Sequence, residues 1–193
     1  MARTATTAII NTATEITASK TKEQVIAEAQ RIEESSMYSS KGHFAAARIW
    51  TNFHMCIGLP MVILSVIAGA SLLKEHVLIS GVLSIIVAVL SGIMTFLNPN
   101  ERASKHFSAG NHYDSLQVKA RIFRTIDCWR EPSDQVLTDR LATYLDHREK
   151  LKQGSPQIPY WAYQMAKRGI EAGEAIYEVD KKSDSPKSDI AAI

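Results

Sequence analysis

The chain is poor in several things at once. It holds only two cysteines among 193 residues, Cys56 and Cys128. That number excludes a disulfide framework and a cysteine-rich zinc site, and fits a reducing compartment. No Gly or Pro occurs before Gly42 and Pro60. A phosphate-binding glycine loop, a dinucleotide fingerprint, a metalloprotease helix motif and a nucleophile elbow are all missing, so no catalytic residue is expected. Net charge is nearly absent too: 22 basic against 20 acidic side chains leave +2, which argues against binding nucleic acid through bulk basicity.

The charge that exists is unevenly placed. Residues 55–97 carry only Lys74 and Glu75, so 40 of the 42 charges fall on the rest of the chain. Two runs without a charge, 55–73 and 77–97, are separated by Lys74, Glu75 and His76. Each is long enough to cross a hydrocarbon core of roughly 30 Å at about 1.5 Å per residue. A buried helix of a small soluble domain would show a polar face, and neither run has one. The fold class expected is all-α: a membrane protein with a two-helix transmembrane hairpin and a cytoplasmic helical bundle. Lys41 and Arg48 precede the first run while Arg102 and Lys105 follow the second, which places both termini in the cytoplasm. Trp50, Phe53 and Phe96 stand where aromatic anchors are wanted at the interface.

Outside the hairpin, residues 1–20 lack a continuous apolar stretch and read as a mobile N-terminal arm rather than a signal peptide. Residues 21–54 read as pre-membrane helices, opened by the capping-box spacing of Thr21 and Gln24 and either continuing or breaking at Ser35 to Ser40. Residues 98–178 read as a cytoplasmic helical domain. There Asn98, Pro99 and Asn100 break or bend the chain, and a long helix from Glu101 to Arg130 follows. It carries Phe107, Tyr113, Leu116, Ala120, Phe123 and Ile126 along one face, interrupted by Gly110. A helix after Pro132 uses Val136, Leu137, Leu141, Tyr144 and Leu145. A last one begins at Tyr160, with Tyr163, Ala166 and Ile170 inward and an end near Tyr177. Residues 179–193 read as a disordered tail.

Three constellations are candidates for function. Ser80, Ser84, Ala88, Ser91 and Thr95 recur along one helical stripe of roughly 80° in the second run. Such a stripe serves close helix packing or the lining of a weakly polar pore in an oligomer. Pro60, with Gly58 beside it, removes a backbone donor and predicts a kink, either a gate hinge or a fixed bend. Lys119, Arg121, Arg124 and Arg130, with Tyr160, Trp161, Lys167 and Arg168, combine cations and aromatics. They would suit a nucleotide or cyclic oligonucleotide, or else form a solvated basic surface. A metal set from His106, His112 and Asp114 is disfavoured, because six-residue spacing turns the two imidazoles to different faces, and no metal is expected.

The order of these elements carries a resemblance. Arg48, Ile49 and Trp50 end a pre-membrane helix; Phe96, Leu97, Asn98 and Pro99 mark the exit; Arg102, Ala103 and Tyr113 lead into a long helix; Pro156, Gln157, Ile158 and Pro159 precede one with Tyr163 and Lys167. Over about residues 25–178 this arrangement resembles the SLATT family, two-transmembrane effector domains of bacterial conflict systems. The resemblance implies a homo-oligomeric, pore-forming effector of antiviral defence in the bacterial inner membrane. Its ion-channel or membrane-disrupting action would bring abortive infection, and it would be controlled by a nucleotide second messenger from a neighbouring synthase or by a partner. A non-conducting membrane scaffold that recruits a soluble partner is the alternative.

Overall fold

The computed structural model describes residues 2–73, 76–131 and 133–175, with side chains described from Lys20 onward. The expected tail at 179–193 and the expected helix end near Tyr177 lie outside the described residues. Every element is helical and no strand occurs among the described residues: α1 (Ala2–Leu73), α2 (Val77–Leu97), α3 (Pro99–Ile122), a π turn (Phe123–Asp127), α4 (Cys128–Arg130), α5 (Asp134–Gly154) and α6 (Tyr160–Glu171).

α1 is a single helix of 72 residues. It therefore runs through the expected arm, past Thr21 without starting there, and across Ser35 to Ser40 without a break. The physical reason is the shortage of breakers: no Gly or Pro interrupts the first 41 residues, and Pro60 is absorbed within the helix. Two stretches, inside Lys20–Leu73 and inside Val77–Arg130, are long and apolar enough to cross a membrane. Their apolar side chains are not hidden in a core. Leu73, Leu78 and Phe96 are 88%, 85% and 86% exposed, and Leu59, Val62, Val66, Ile85 and Val89 stand out around both helices.

Only a narrow seam joins the two apolar segments. On α1 the least exposed positions are Ile57, Met61, Leu64, Ala68 and Ser71; on α2 they are Ser80, Leu83, Val87, Leu90, Met94 and Leu97. Both series alternate steps of three and four, the spacing of antiparallel helices packed knobs-into-holes. His76 closes the tip by donating its backbone N–H to the Ser71 carbonyl at 3.0 Å.

α2 ends in one residue. Asn98 sits in the left-handed region at φ 41°, where Asn is among the few tolerated side chains, and its N–H bonds to the Met94 carbonyl. Pro99 then starts α3, with its missing donor at a position that needs none. The second apolar helix and the long helix are thus separate elements, with α3 beginning two residues before the expected Glu101. Arg102 secures the corner: its Nε donates to the Leu97 carbonyl at 2.7 Å, and its guanidinium lies 5.2 Å from the Trp50 ring centroid.

α3 runs antiparallel to α1, so the hairpin continues beyond its apolar part. Pairs in contact are nearly equidistant in sequence from residues 74–76: Trp50 with Arg102, His43 with His106, Glu33 with Arg124, Lys22 with Trp129. The far end is an apolar core of Val25, Ala29, Ile32, Leu116, Ala120, Phe123, Cys128, Leu137 and Leu141. Between core and apolar segments lies a seam of small and polar residues: Ser36, Ser40, His43 and Ala47 against Ala103, His106, Ala109 and Gly110.

The expected apolar face of the long helix fails at its end. Ile126 is 47% exposed and Cys128 is fully buried in its place. The π turn inserts one extra residue, so the core position after Phe123 comes five residues later rather than three or four. Phe107 is also exposed, although its ring centroid lies 5.7 Å from that of Phe44. On α5, Leu137 and Leu141 are buried while Val136 and Leu145 face outward. On α6 the buried pair is Ala162 and Ala166, and Tyr160 and Tyr163 are exposed.

Candidate functional site

The stripe on α2 divides. Ser80 belongs to the seam against α1, whereas Ser84, Ala88, Ser91 and Thr95 are exposed. At 100° per residue the stripe is centred roughly 90° from the seam, so α1 does not cover it. Gly81 and Gly92 widen the same face, and no neighbour lies within 4 Å of where their Cβ atoms would stand. The Thr95 hydroxyl donates to the Ser91 carbonyl at 2.9 Å, so this polar group is satisfied within its own helix. Gly58 is likewise open, and Pro60 is exposed on α1.

The cation and aromatic set is not brought together. Lys119, Arg121, Arg124 and Arg130 lie at the core end, where Arg124 is paired with Glu33 at 2.9 Å. α6 packs instead on α1 near Lys41 to Arg48, roughly 12 to 20 Å further along that helix. There Lys167 is paired with Glu171 at 3.7 Å, and Arg168 faces a cleft of about 540 Å³ with Lys41, Arg48 and Glu174. Tyr160 is exposed, Trp161 half-exposed, and Tyr163 meets Tyr38 at 6.4 Å.

A different group is assembled at the polar seam. His43 and His106 are both buried, and their Nδ1 atoms are 3.0 Å apart, so one donates and the other accepts. His43 also stacks on Tyr113 with centroids 5.5 Å apart and planes 15° apart. Burial, with help from the neighbouring His106, pushes His43 down to about 4; burial and the nearby Arg102 lower His106 as well. Both imidazoles are neutral at pH 7. Burial raises Tyr113, against an opposing influence of Ser155 and Arg148.

Beside this pair opens a cleft of about 490 Å³ lined by Ser39, His43, Tyr113, Arg148, Lys152 and Ser155, with the linker to Ile158 as one wall. Sequence spacing singles out His106 with His112 and Asp114, but not His43, Arg148 or Lys152. The signal that would have found the pair is symmetry: His43 and His106 stand almost equally far from the hairpin tip. Among the described residues no cluster of three His, Cys, Asp or Glu could hold a metal ion.

In comparisons with known proteins, no family model, no curated protein and no solved structure matches the chain.

Proposed function

We propose that the chain is a membrane-embedded effector that assembles into a homo-oligomeric pore, with its helical bundle and both termini in the cytoplasm of a bacterium. The observation that carries this reading is the exposed, uncharged face of Ser84, Ala88, Ser91 and Thr95 beside a seam that leaves it uncovered. In hydrocarbon, small residues support close approach of a second helix, the Thr95 hydroxyl is satisfied within its own helix, and an assembly of such faces surrounds a weakly polar axis. Two spans cannot enclose a pore alone, so the reading requires several subunits. The basic flanks at Lys41, Arg48, Arg102 and Lys105 support the cytoplasmic orientation. The resemblance to the SLATT family adds the biological setting: membrane permeabilisation in antiviral defence, released by a nucleotide second messenger or a partner protein.

Induced expression in bacteria carrying a potential-sensitive dye tests the proposal. Depolarisation and growth arrest are expected, and Ser84→Leu combined with Ser91→Leu should abolish both while leaving the protein in the membrane fraction. Ion leak that persists in that double variant would remove the stripe from the conduction path.

The scaffold reading draws on the exposed Tyr160, Trp161, Tyr163 and Met165 of α6, which offer a partner an aromatic surface. It predicts that exchanging residues 55–97 for an unrelated transmembrane hairpin leaves activity intact.

A further inference from the structure

The cleft beside the histidine pair has the chemistry of an anion site. Arg148 and Lys152 are one helical turn apart near the end of α5, so both side chains reach the same wall. Neither is in an ion pair among the described residues, whereas Arg31, Lys105, Arg124, Arg140, Lys150 and Lys167 all are. No carboxylate lines the cleft. Glu149, whose charge helps to raise the Tyr113 hydroxyl, lies outside the lining and accepts a hydrogen bond from Gln153 at 3.2 Å. The same cleft is lined by neutral His43 and by three hydroxyls that are already engaged: Ser39 donates to the Ser35 carbonyl at 2.9 Å, and Tyr113 and Ser155 bond to each other. Two cations outside any ion pair, in a carboxylate-free cleft whose volume is in the range of small-molecule sites, match a phosphate group on a compact organic molecule.

We propose that this cleft binds the phosphate of a small phosphorylated ligand through Arg148 and Lys152. The proposal rests on the reading that a nucleotide-class molecule controls the chain. It moves that site from the scattered cations of α3 and α6 to the junction of α1, α3, the end of α5 and the 155–158 linker.

A lipid headgroup is the other source of phosphate, and the geometry disfavours it. His43 precedes the first apolar residue of the span, Met55, by twelve positions, about 18 Å of helix, whereas the headgroup layer is roughly 5 to 8 Å deep on each side. A ligand here would tie the end of α5 and its linker to α1, which runs on into the hairpin, and to α3, which joins the hairpin at the Asn98 corner. The linker already presses on α1: a Cβ at Gly42 would come within 3.1 Å of Ile158 Cγ2.

The test is calorimetric titration of the full chain in neutral detergent micelles with inorganic pyrophosphate, adenosine 5′-monophosphate and adenosine. Both phosphate probes should bind and adenosine should not. Arg148→Ala combined with Lys152→Ala should weaken binding about tenfold or more. Removing the same charge elsewhere, by Lys119→Ala with Arg130→Ala, should leave it unchanged. Lys152→Glu gives a second, single-site check, and thermal melts confirm that each variant is folded. Absence of binding by both phosphate probes overturns the proposal, as does equal binding by the Arg148 and Lys152 variants. Displacement of the probes by micelles doped with phosphatidylglycerol, at the affinity of the free phosphates, would assign the site to lipid and overturn it as well. Ion leak is measured separately. Leak without phosphate binding sinks this site and spares the pore, while binding without leak does the reverse.

Discussion

At the residue scale, the positions that matter most are those where a side chain meets a partner far away in sequence. Gly110 reads locally as a weak point in a helix, but a Cβ there would lie 2.8 Å from Phe44 Cε1. Gly110→Ala gains helix propensity and still should destabilise by about 1 to 3 kcal/mol, because the ring on α1 must shift; Phe44→Leu in the same chain should recover most of the loss in thermal melts. Ser36 is fully buried and its hydroxyl has no partner among the described residues, so Ser36→Ala should leave the melting temperature unchanged or raise it. The buried histidines set a pH dependence. His43 falls from 6.5 in the unfolded chain to about 4 when folded, so between those values the unfolded state binds more protons. Stability should be level above about pH 7 and decline as pH drops toward 4, by about 3 kcal/mol at most from this residue, with His106 adding in the same direction. Melts across that range check it, and His43→Phe with His106→Leu should flatten the slope. Local periodicity does not show these contacts, since each depends on the pairing of α1 with α3; only the equal distance of His43 and His106 from the hairpin tip points to one of them.

At the element scale, helix type and the apolar hairpin were legible and registers were not. Absence of charge marks 55–73 and 77–97 whatever surrounds them, which is why the hairpin bounds match α2 and the end of α1. A periodic pattern, by contrast, assumes 3.6 residues per turn, and the π turn departs from that by one residue. The departure makes an unusual expectation. Deleting Thr125 would set Cys128 four residues after Phe123, the ordinary helical step, so the core contact is kept without the π turn. Such a deletion should change the melting temperature little. Burial raises the Cys128 thiol, and it should stay protected from maleimide in the deleted chain as in the intact one. Asn98 is the opposite case: its left-handed conformation makes Asn98→Gly harmless, while Asn98→Val should cost about 1 to 2 kcal/mol and loosen the corner between α2 and α3.

At the scale of the whole molecule, an apolar belt exposed all around a thin hairpin has no counterpart in a water-soluble bundle of this size. The chain is therefore expected to resist extraction by carbonate and to need detergent. The proposed orientation predicts that a cytoplasm-active reporter fused at either terminus works, while one inserted between Leu73 and His76 works only if it folds outside the cytoplasm. A terminal reporter active on the outer side would invert the assignment. The charge-free and charge-rich parts of the sequence become, in the fold, two ends of one antiparallel hairpin.

That shared axis makes α1 a lever. Its apolar core end is broad and well packed, its apolar segment is held by a thin seam, and the layer of small and polar side chains around His43 and His106 lies between. From His43 to Leu73 the helix spans about 45 Å, so a rotation of about 5° at that layer carries the hairpin tip about 4 Å sideways. That is close to half the spacing of packed helices. A displacement too small to disturb the core would be enough to change which faces of neighbouring hairpins meet.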